Sequence, residues 1–127
     1  MTARILVVED EVLIAMEIAT ALEAEGFEVV GPCHTVSQVL DVLRQPDCCD
    51  AVTLDANLHN ESAQPVARAL LQLEKPFIVV SGYNANQLPD ALAAAPHVAK
   101  PMRTEELISG LRSLLAARGA GGASDGC

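Results

Sequence analysis

Three acidic residues, a serine and a lysine stand at the ends of separate apolar runs in this chain. Ile5-Leu6-Val7-Val8 leads into Glu9-Asp10, and Ala51-Val52-Thr53-Leu54 leads into Asp55. Phe77-Ile78-Val79-Val80 leads into Ser81, and His97-Val98-Ala99 into Lys100-Pro101. If these runs are parallel strands, the polar side chains gather at one edge of the sheet, where open α/β sheets place their ligands. Two carboxylates 4 Å apart repel by roughly 4 kcal/mol at an effective dielectric near 20. Such a cluster calls for a cation, a proton or a lysine, and a small hard cation with oxygen ligands fits best. Taken singly, each residue has a plainer use. An Asp after a strand often caps a helix or closes a turn, Glu9-Asp10-Glu11 suits a helix N-terminus, and a lone lysine is a solvated charge. Recurrence at four run ends is what points to a site.

The elements that must position these residues alternate along the chain. Val12 to Glu25 carries Leu13, Ile14, Ala15, Ile18, Ala21 and Leu22 at helical spacing, with Gly26 as its C-terminal cap. Phe27 to Val30 is a short second strand stopped by Gly31-Pro32. Thr35 or Ser37 caps a helix through Arg44, and Pro46-Asp47 breaks it. A helix from about Ala63 to Glu74 follows the third strand, with Pro65 tolerable in its first turn. Pro89 and Pro96 bracket the weak segment Gln87 to Ala95. Proline starts or ends a helix but does not sit inside one, so the fourth helix is expected to be short or mobile. Thr104 is the expected N-cap of the last helix, with Glu105 and Glu106 in its first turn and Leu107, Ile108, Leu111, Leu114 and Leu115 on its apolar face. Alternating strands and helices imply a doubly wound α/β fold, a five-stranded parallel sheet with helices on both faces. Gly119 to Cys127 holds four glycines and almost no apolar residue, which predicts a domain over 1–118 and a disordered tail over 119–127.

At 127 residues the chain is long enough for one domain with a single sizeable core. Half of its residues are apolar but only 2% are aromatic, so Ala, Val, Leu and Ile must build that core. A net charge of −9 argues against direct contact with nucleic acid, which needs clustered Lys and Arg, and against an anionic membrane surface. No apolar run approaches the ~20 residues of a membrane span. Met1-Thr2-Ala3-Arg4 enters a strand at once, so no signal peptide and a cytoplasmic location are expected. Cys33, Cys48, Cys49 and Cys127 form no C-x-x-C pair, and no histidine lies at zinc-finger spacing. Reduced thiols are the expectation.

Over about residues 3–118 the chain resembles the receiver domain of two-component response regulators. The resemblance is carried by Val7-Val8-Glu9-Asp10-Glu11, Leu54-Asp55, Ser81 and Lys100-Pro101, in that order and each after an apolar run. Val29-Val30-Gly31-Pro32, Leu54-Asp55-Ala56-Asn57-Leu58, Pro65-Val66-Ala67 and Pro76-Phe77 to Ser81-Gly82-Tyr83 are more particular. They resemble the mostly single-domain, chiefly alphaproteobacterial subgroup named for a Phe-Ala-Thr-Gly-Tyr signature, which here reads Val79-Val80-Ser81-Gly82-Tyr83. The strand order 2-1-3-4-5 and the following roles are what the resemblance implies. Asp55 is the phosphoacceptor. Asp10, Glu9 (largely through water), Asp55 and the backbone carbonyl of Asn57 hold Mg²⁺. Ser81 and Lys100 contact the phosphoryl oxygens. Ser81, Tyr83, His97 and Pro101 belong to the switch, and Lys100-Pro101 is a cis peptide. The chain departs from the family at three places: Glu9 replaces the commoner Asp, His59 stands where Pro is usual, and His97 replaces the usual Tyr or Phe.

The expected function is a stand-alone response regulator. It takes a phosphoryl group from a sensor histidine kinase or phosphotransfer protein and works as a relay shuttle, a phosphate sink or a protein-binding switch. It is a phosphoacceptor that assists its own phosphorylation and dephosphorylation, not an enzyme. With His97 in place of an aromatic ring, phosphorylation is expected to order or shift residues 83–96. A pseudo-receiver that binds proteins and never takes phosphate is the first rival, opposed by the intact set Asp10, Asp55, Ser81 and Lys100. An aspartyl-phosphate phosphatase of the haloacid dehalogenase type is the second. It wants another Asp two residues after the nucleophile, where this chain has Asn57.

Overall fold

A computed structural model describes residues 2–45, 47–82 and 88–122. The elements run β1 (Arg4–Val8), α1 (Val12–Ala24), β2 (Glu28–Cys33), α2 (Val36–Leu43), β3 (Ala51–Asp55), β4 (Asn57–Leu58) and β5 (Glu61–Ser62). They continue with α3 (Gln64–Gln72), β6 (Phe77–Ser81), α4 (Asp90–Ala93), β7 (His97–Ala99) and α5 (Thr104–Gly122). Five strands form a parallel sheet in the order β2-β1-β3-β6-β7, the 2-1-3-4-5 order of the doubly wound fold. The extra pair β4-β5 is a small antiparallel hairpin outside that sheet.

Side chains alternate across each strand, and the alternation splits the core in two. Ile5 and Val7 face the layer of α1 and α5, packing with Ile18, Leu22, Ile78, Val80, Leu107 and Leu111. Leu6 and Val8 face the layer of α2, α3 and α4, with Val39, Leu43, Val52, Leu54, Leu70, Val79 and Leu92. α1 buries only Ala15, Ile18 and Leu22. Leu13, grouped with that stripe by spacing, is 81% exposed. It lies five residues from Ile18, and at 3.6 residues per turn that puts it well round the helix.

Four local features depart from the sequence reading. β2 does not stop at Gly31-Pro32. It bulges there and resumes, so that Cys33 pairs with Val8. An edge strand tolerates a proline, because a missing N–H costs no ladder bond at a bulge. The β4-β5 hairpin was not anticipated. Its turn residues His59 and Asn60 have φ of 52° and 64°, the left-handed pair that a two-residue hairpin favours. Thr104 is the first residue of α5 and does not cap it, and its hydroxyl donates to Glu105 Oε1 at 3.2 Å. α5 also continues to Gly122, four residues past the boundary expected at 118. Each added helical residue gains a backbone hydrogen bond, against about 1 kcal/mol for a glycine.

Elsewhere the expectations and the structure agree. Thr35 caps α2, its hydroxyl accepting from the Gln38 amide at 3.1 Å. α4 is a single turn, seated by Leu88, Ala91 and Leu92, and the Gln64 side chain accepts from the Ala91 amide at 3.3 Å. Cys33, Cys48 and Cys49 are free and buried. Among the described residues no helix is long and apolar enough to cross a membrane.

Candidate functional site

Four of the five strands of the central sheet deliver polar groups to one shared edge. β1 ends in the turn Glu9-Asp10, β3 in Asp55, β6 in Ser81, and β7 is followed by Lys100. Asp10, Asp55, Asn57, Ser81 and Lys100 line one open cleft of ≈ 380 Å³. Glu9 lies beneath them, 1% exposed, and Asp55 forms part of the floor at 6%.

The carboxylates of Glu9, Asp10 and Asp55 each bring an oxygen within 4.8 Å of the others. Lys100 Nζ reaches into the group and lies 3.2 Å from both Glu9 Oε1 and Asp55 Oδ2. Three backbone amides donate to three of the other oxygens: Glu11 to Glu9 Oε2 at 3.1 Å, Asn57 to Asp55 Oδ1 at 3.2 Å, and His59 to Asp10 Oδ2 at 2.9 Å. Lys100 is aligned in turn by its amide, which donates to the Ser81 carbonyl at 2.9 Å. The Lys100–Pro101 bond is cis, as the resemblance implies, and so is Gly31–Pro32.

The charges follow from this crowding. Burial and the neighbouring Asp55 carboxylate push Glu9 up to about 8. Burial also raises Asp55, against the pull of Glu9 and the Lys100 ammonium. Burial raises Asp10 too, but the His59 amide and its contacts with Glu9 and Asp55 outweigh it, so Asp10 ends below its usual value. Burial lowers Lys100, and Asp55 with Glu9 more than reverse that. The upward shift of Glu9 and the ammonium of Lys100 each relieve part of the negative charge of the three carboxylates.

That compensation is incomplete in one place. Glu9 Oε1 is fully buried and, beyond its ion pair with Lys100, accepts no well-directed hydrogen bond among the described residues. An oxygen-only donor set with an underused buried oxygen suits a hard divalent cation such as Mg²⁺. Glu9, Asp10 and Asp55 are the carboxylates that would hold it, with Asn57 at the same cleft.

The other residues singled out from the sequence lie elsewhere. His97 pairs with Val79 and lines a separate groove of ≈ 560 Å³ beside α5, where its Nε2 is buried without a hydrogen bond among the described residues. Pro101 follows Lys100, outside the cleft. Tyr83 lies outside the described residues. Two contributors to the site escaped the sequence reading. The His59 amide holds Asp10 across 49 positions, and His34 Nδ1 meets the Glu9 carbonyl at 2.8 Å across 25. His59-Asn60, two residues that tolerate positive φ, was the only local signal of the first, and the second had none.

The chain is similar to known proteins over most of its length. The chain is 26% identical over 111 residues to the transcriptional regulatory protein PdtaR of Mycobacterium tuberculosis, a match covering 83% of this chain and 53% of that protein. It thus spans about half the length of the curated relatives it matches. Among solved structures it is similar to SdrG of Sphingomonas melonis Fr1, at 33% identity and a TM-score of 0.76, covering 90% of this chain and 97% of that one. A response regulator receiver protein of Sinorhizobium medicae WSM419 shares the fold, at 23% identity and a TM-score of 0.78, with 92% and 97% covered. Residues 5–112 match the response regulator receiver domain, a span that starts within β1 and takes in Asp10, Asp55, Ser81 and Lys100. With four strand ends converging on one acidic cleft inside that span, the chain belongs to the response regulator receiver domain family.

Proposed function

We propose that this protein is a phosphoacceptor of a two-component pathway, with Asp55 as the residue modified and Mg²⁺ as the metal required. The observation that carries the reading is the setting of Asp55: a buried carboxylate at the floor of an open cleft, 3.2 Å from a lysine ammonium and grouped with two further carboxylates. In the transfer, an Asp55 oxygen forms the new bond to phosphorus while the bond from phosphorus to the donor imidazole nitrogen breaks, its electron pair leaving with the imidazole. Such chemistry needs positioning and charge compensation more than covalent help. When bound, Mg²⁺ supplies positive charge to the phosphoryl oxygens and to the carboxylates. Lys100 neutralises charge beside Asp55, Ser81 lies at the cleft wall within the same site, and the Asn57 amide orients Asp55. The chain thereby assists its own phosphorylation and dephosphorylation without turning over a separate substrate.

The donor class is what the family membership implies, and the access to the cleft fits it. A protein carrying phosphohistidine must cover the rim of the cleft to bring its imidazole to Asp55. Glu11 lines that rim, and α1 begins at the next residue. Val12, Leu13 and Met16 on the first turns of α1 are 58%, 81% and 57% exposed, an apolar patch suited to such contact. We assign this patch to the sensor kinase or phosphotransfer protein. The subgroup resemblance supports a cytoplasmic single-domain regulator that passes phosphate on, stores it or binds a partner when phosphorylated. Transfer of labelled phosphate from phosphorylated histidine kinases tests the reading. It expects label on the wild-type chain and none on Asp55→Asn. A chain that takes no label from any donor but still captures partners would be the pseudo-receiver.

A further inference from the structure

We propose that His34 is a positioning residue for the acidic pair, its imidazole fixing the peptide between Glu9 and Asp10 so that both carboxylates stay grouped with Asp55. The inference rests on the metal-binding reading above. His34 follows β2 directly, 25 positions from Glu9, and is half-buried. Its Nδ1 lies 2.8 Å from the Glu9 carbonyl oxygen. A carbonyl only accepts, so Nδ1 carries the hydrogen and donates. The backbone that carries the imidazole is itself anchored. The His34 amide donates to Gln38 Oε1 at 2.7 Å, and the Gln38 amide donates to the capping hydroxyl of Thr35 at the start of α2. On the other side of the same residue, the Glu9 amide donates to the Cys33 carbonyl at 3.0 Å. The end of β2 therefore grips both the N–H and the C=O of Glu9. The peptide unit is planar, so holding the Glu9 oxygen also sets the nitrogen and the starting direction of Asp10. Without that grip, the Glu9–Asp10 peptide in the turn between β1 and α1 would be held through the two carboxylates, and its carbonyl could turn. Both ligand side chains would then shift with it. Outer contacts of this kind hold metal ligands in many sites.

Two substitutions separate positioning from bulk stability. His34→Asn places a side-chain N–H close to where Nδ1–H stands, and His34→Leu removes it while keeping an apolar side chain. Mg²⁺ titration of the full chain by calorimetry is the readout, with thermal unfolding in chelator alongside. We expect His34→Leu to raise the Mg²⁺ Kd by about tenfold and His34→Asn to stay within about threefold of wild type. In ¹⁵N-histidine spectra of the wild-type chain, the His34 proton should sit on Nδ1. A leucine variant with the wild-type Kd, an asparagine variant as weak as leucine, or a His34 ring protonated only on Nε2 would each overturn the inference. The tautomer and the asparagine variant decide the matter even if His34→Leu fails to fold. A wild-type chain that binds no Mg²⁺ would remove the reading beneath it as well. An unchanged Kd in His34→Leu beside a wild type that binds would strike the inference alone.

Discussion

A buried carboxylate next to another must shed its charge or find a cation, and Glu9 does some of each. Its pKa rises from the usual 4.5 to about 8, through burial first and Asp55 second. Between those values the folded chain holds a proton on Glu9 that the unfolded chain has released. The stability this contributes is fully present below 4.5 and is lost as pH rises through about 8. Metal-free protein should therefore melt at a lower temperature at about pH 8.5 than at about pH 5.5. Glu9→Gln, which keeps the shape without the charge, should flatten that slope and raise the melting temperature at the upper pH. Mg²⁺ competes with the same proton, so it should raise the wild-type melting temperature more at the upper pH. Calorimetric scans in chelator and in Mg²⁺ test both statements. A Glu9→Gln chain with the wild-type pH slope would show that Glu9 is not the group responsible.

Two short elements hold the acidic loop from opposite sides, β4-β5 over Asp10 and the end of β2 under Glu9. The hairpin turns on His59, at φ 52°. His59→Gly keeps the amide that donates to Asp10 and fits the turn, so its stability should lie within about 1 kcal/mol of wild type. His59→Pro cannot reach that φ and loses the N–H, so it should cost about 2 kcal/mol or more in urea unfolding. Equal stabilities for the two variants would contradict the hairpin. At the other side, Gly31 has φ 88°, and a Cβ there would stand 2.8 Å from the Cys33 nitrogen. Gly31→Ala should cost about 2 kcal/mol by the same measurement, and a neutral result would contradict the bulge. These two elements also mark where the sequence stopped being legible. The five strands of the sheet were readable because contiguous apolar runs such as Phe77 to Val80 are buried on both faces. α4 was readable as short because Pro89 and Pro96 bound it. The hairpin strands are two residues each, too short to show any period. The grip of His34 on Glu9 depends on how β2 resumes beyond Gly31-Pro32, which neither segment shows alone.

Across the whole molecule, the sheet separates two jobs. Its two faces carry the core, and its C-terminal edge carries the chemistry, so surface changes on α1 should touch neither. Leu13 is 81% exposed, and Leu13→Asp should leave stability within about 0.5 kcal/mol of wild type. It should slow phosphotransfer from a kinase or phosphotransfer protein several-fold while leaving reaction with a small phosphodonor unchanged. Equal loss with both donors would place the defect in the cleft instead of the docking surface. Glu9, Asp10, Asp55, Asn57, Ser81 and Lys100 were legible as strand-end polar groups or their near neighbours, whereas Asn60 lines the cleft from the hairpin turn that the sequence did not reveal. Nor did it reveal the charge states at the site, because burial and the 3.2 Å reach of Lys100 are properties of the assembled edge. The most direct measurement is intact mass after incubation with acetyl phosphate, for the wild type and Asp55→Asn, each in Mg²⁺ and in chelator. The account predicts one added phosphoryl group on the wild type in Mg²⁺ and none in the other three conditions. A phosphoryl group on Asp55→Asn, or equal labelling of the wild type in chelator, would contradict it.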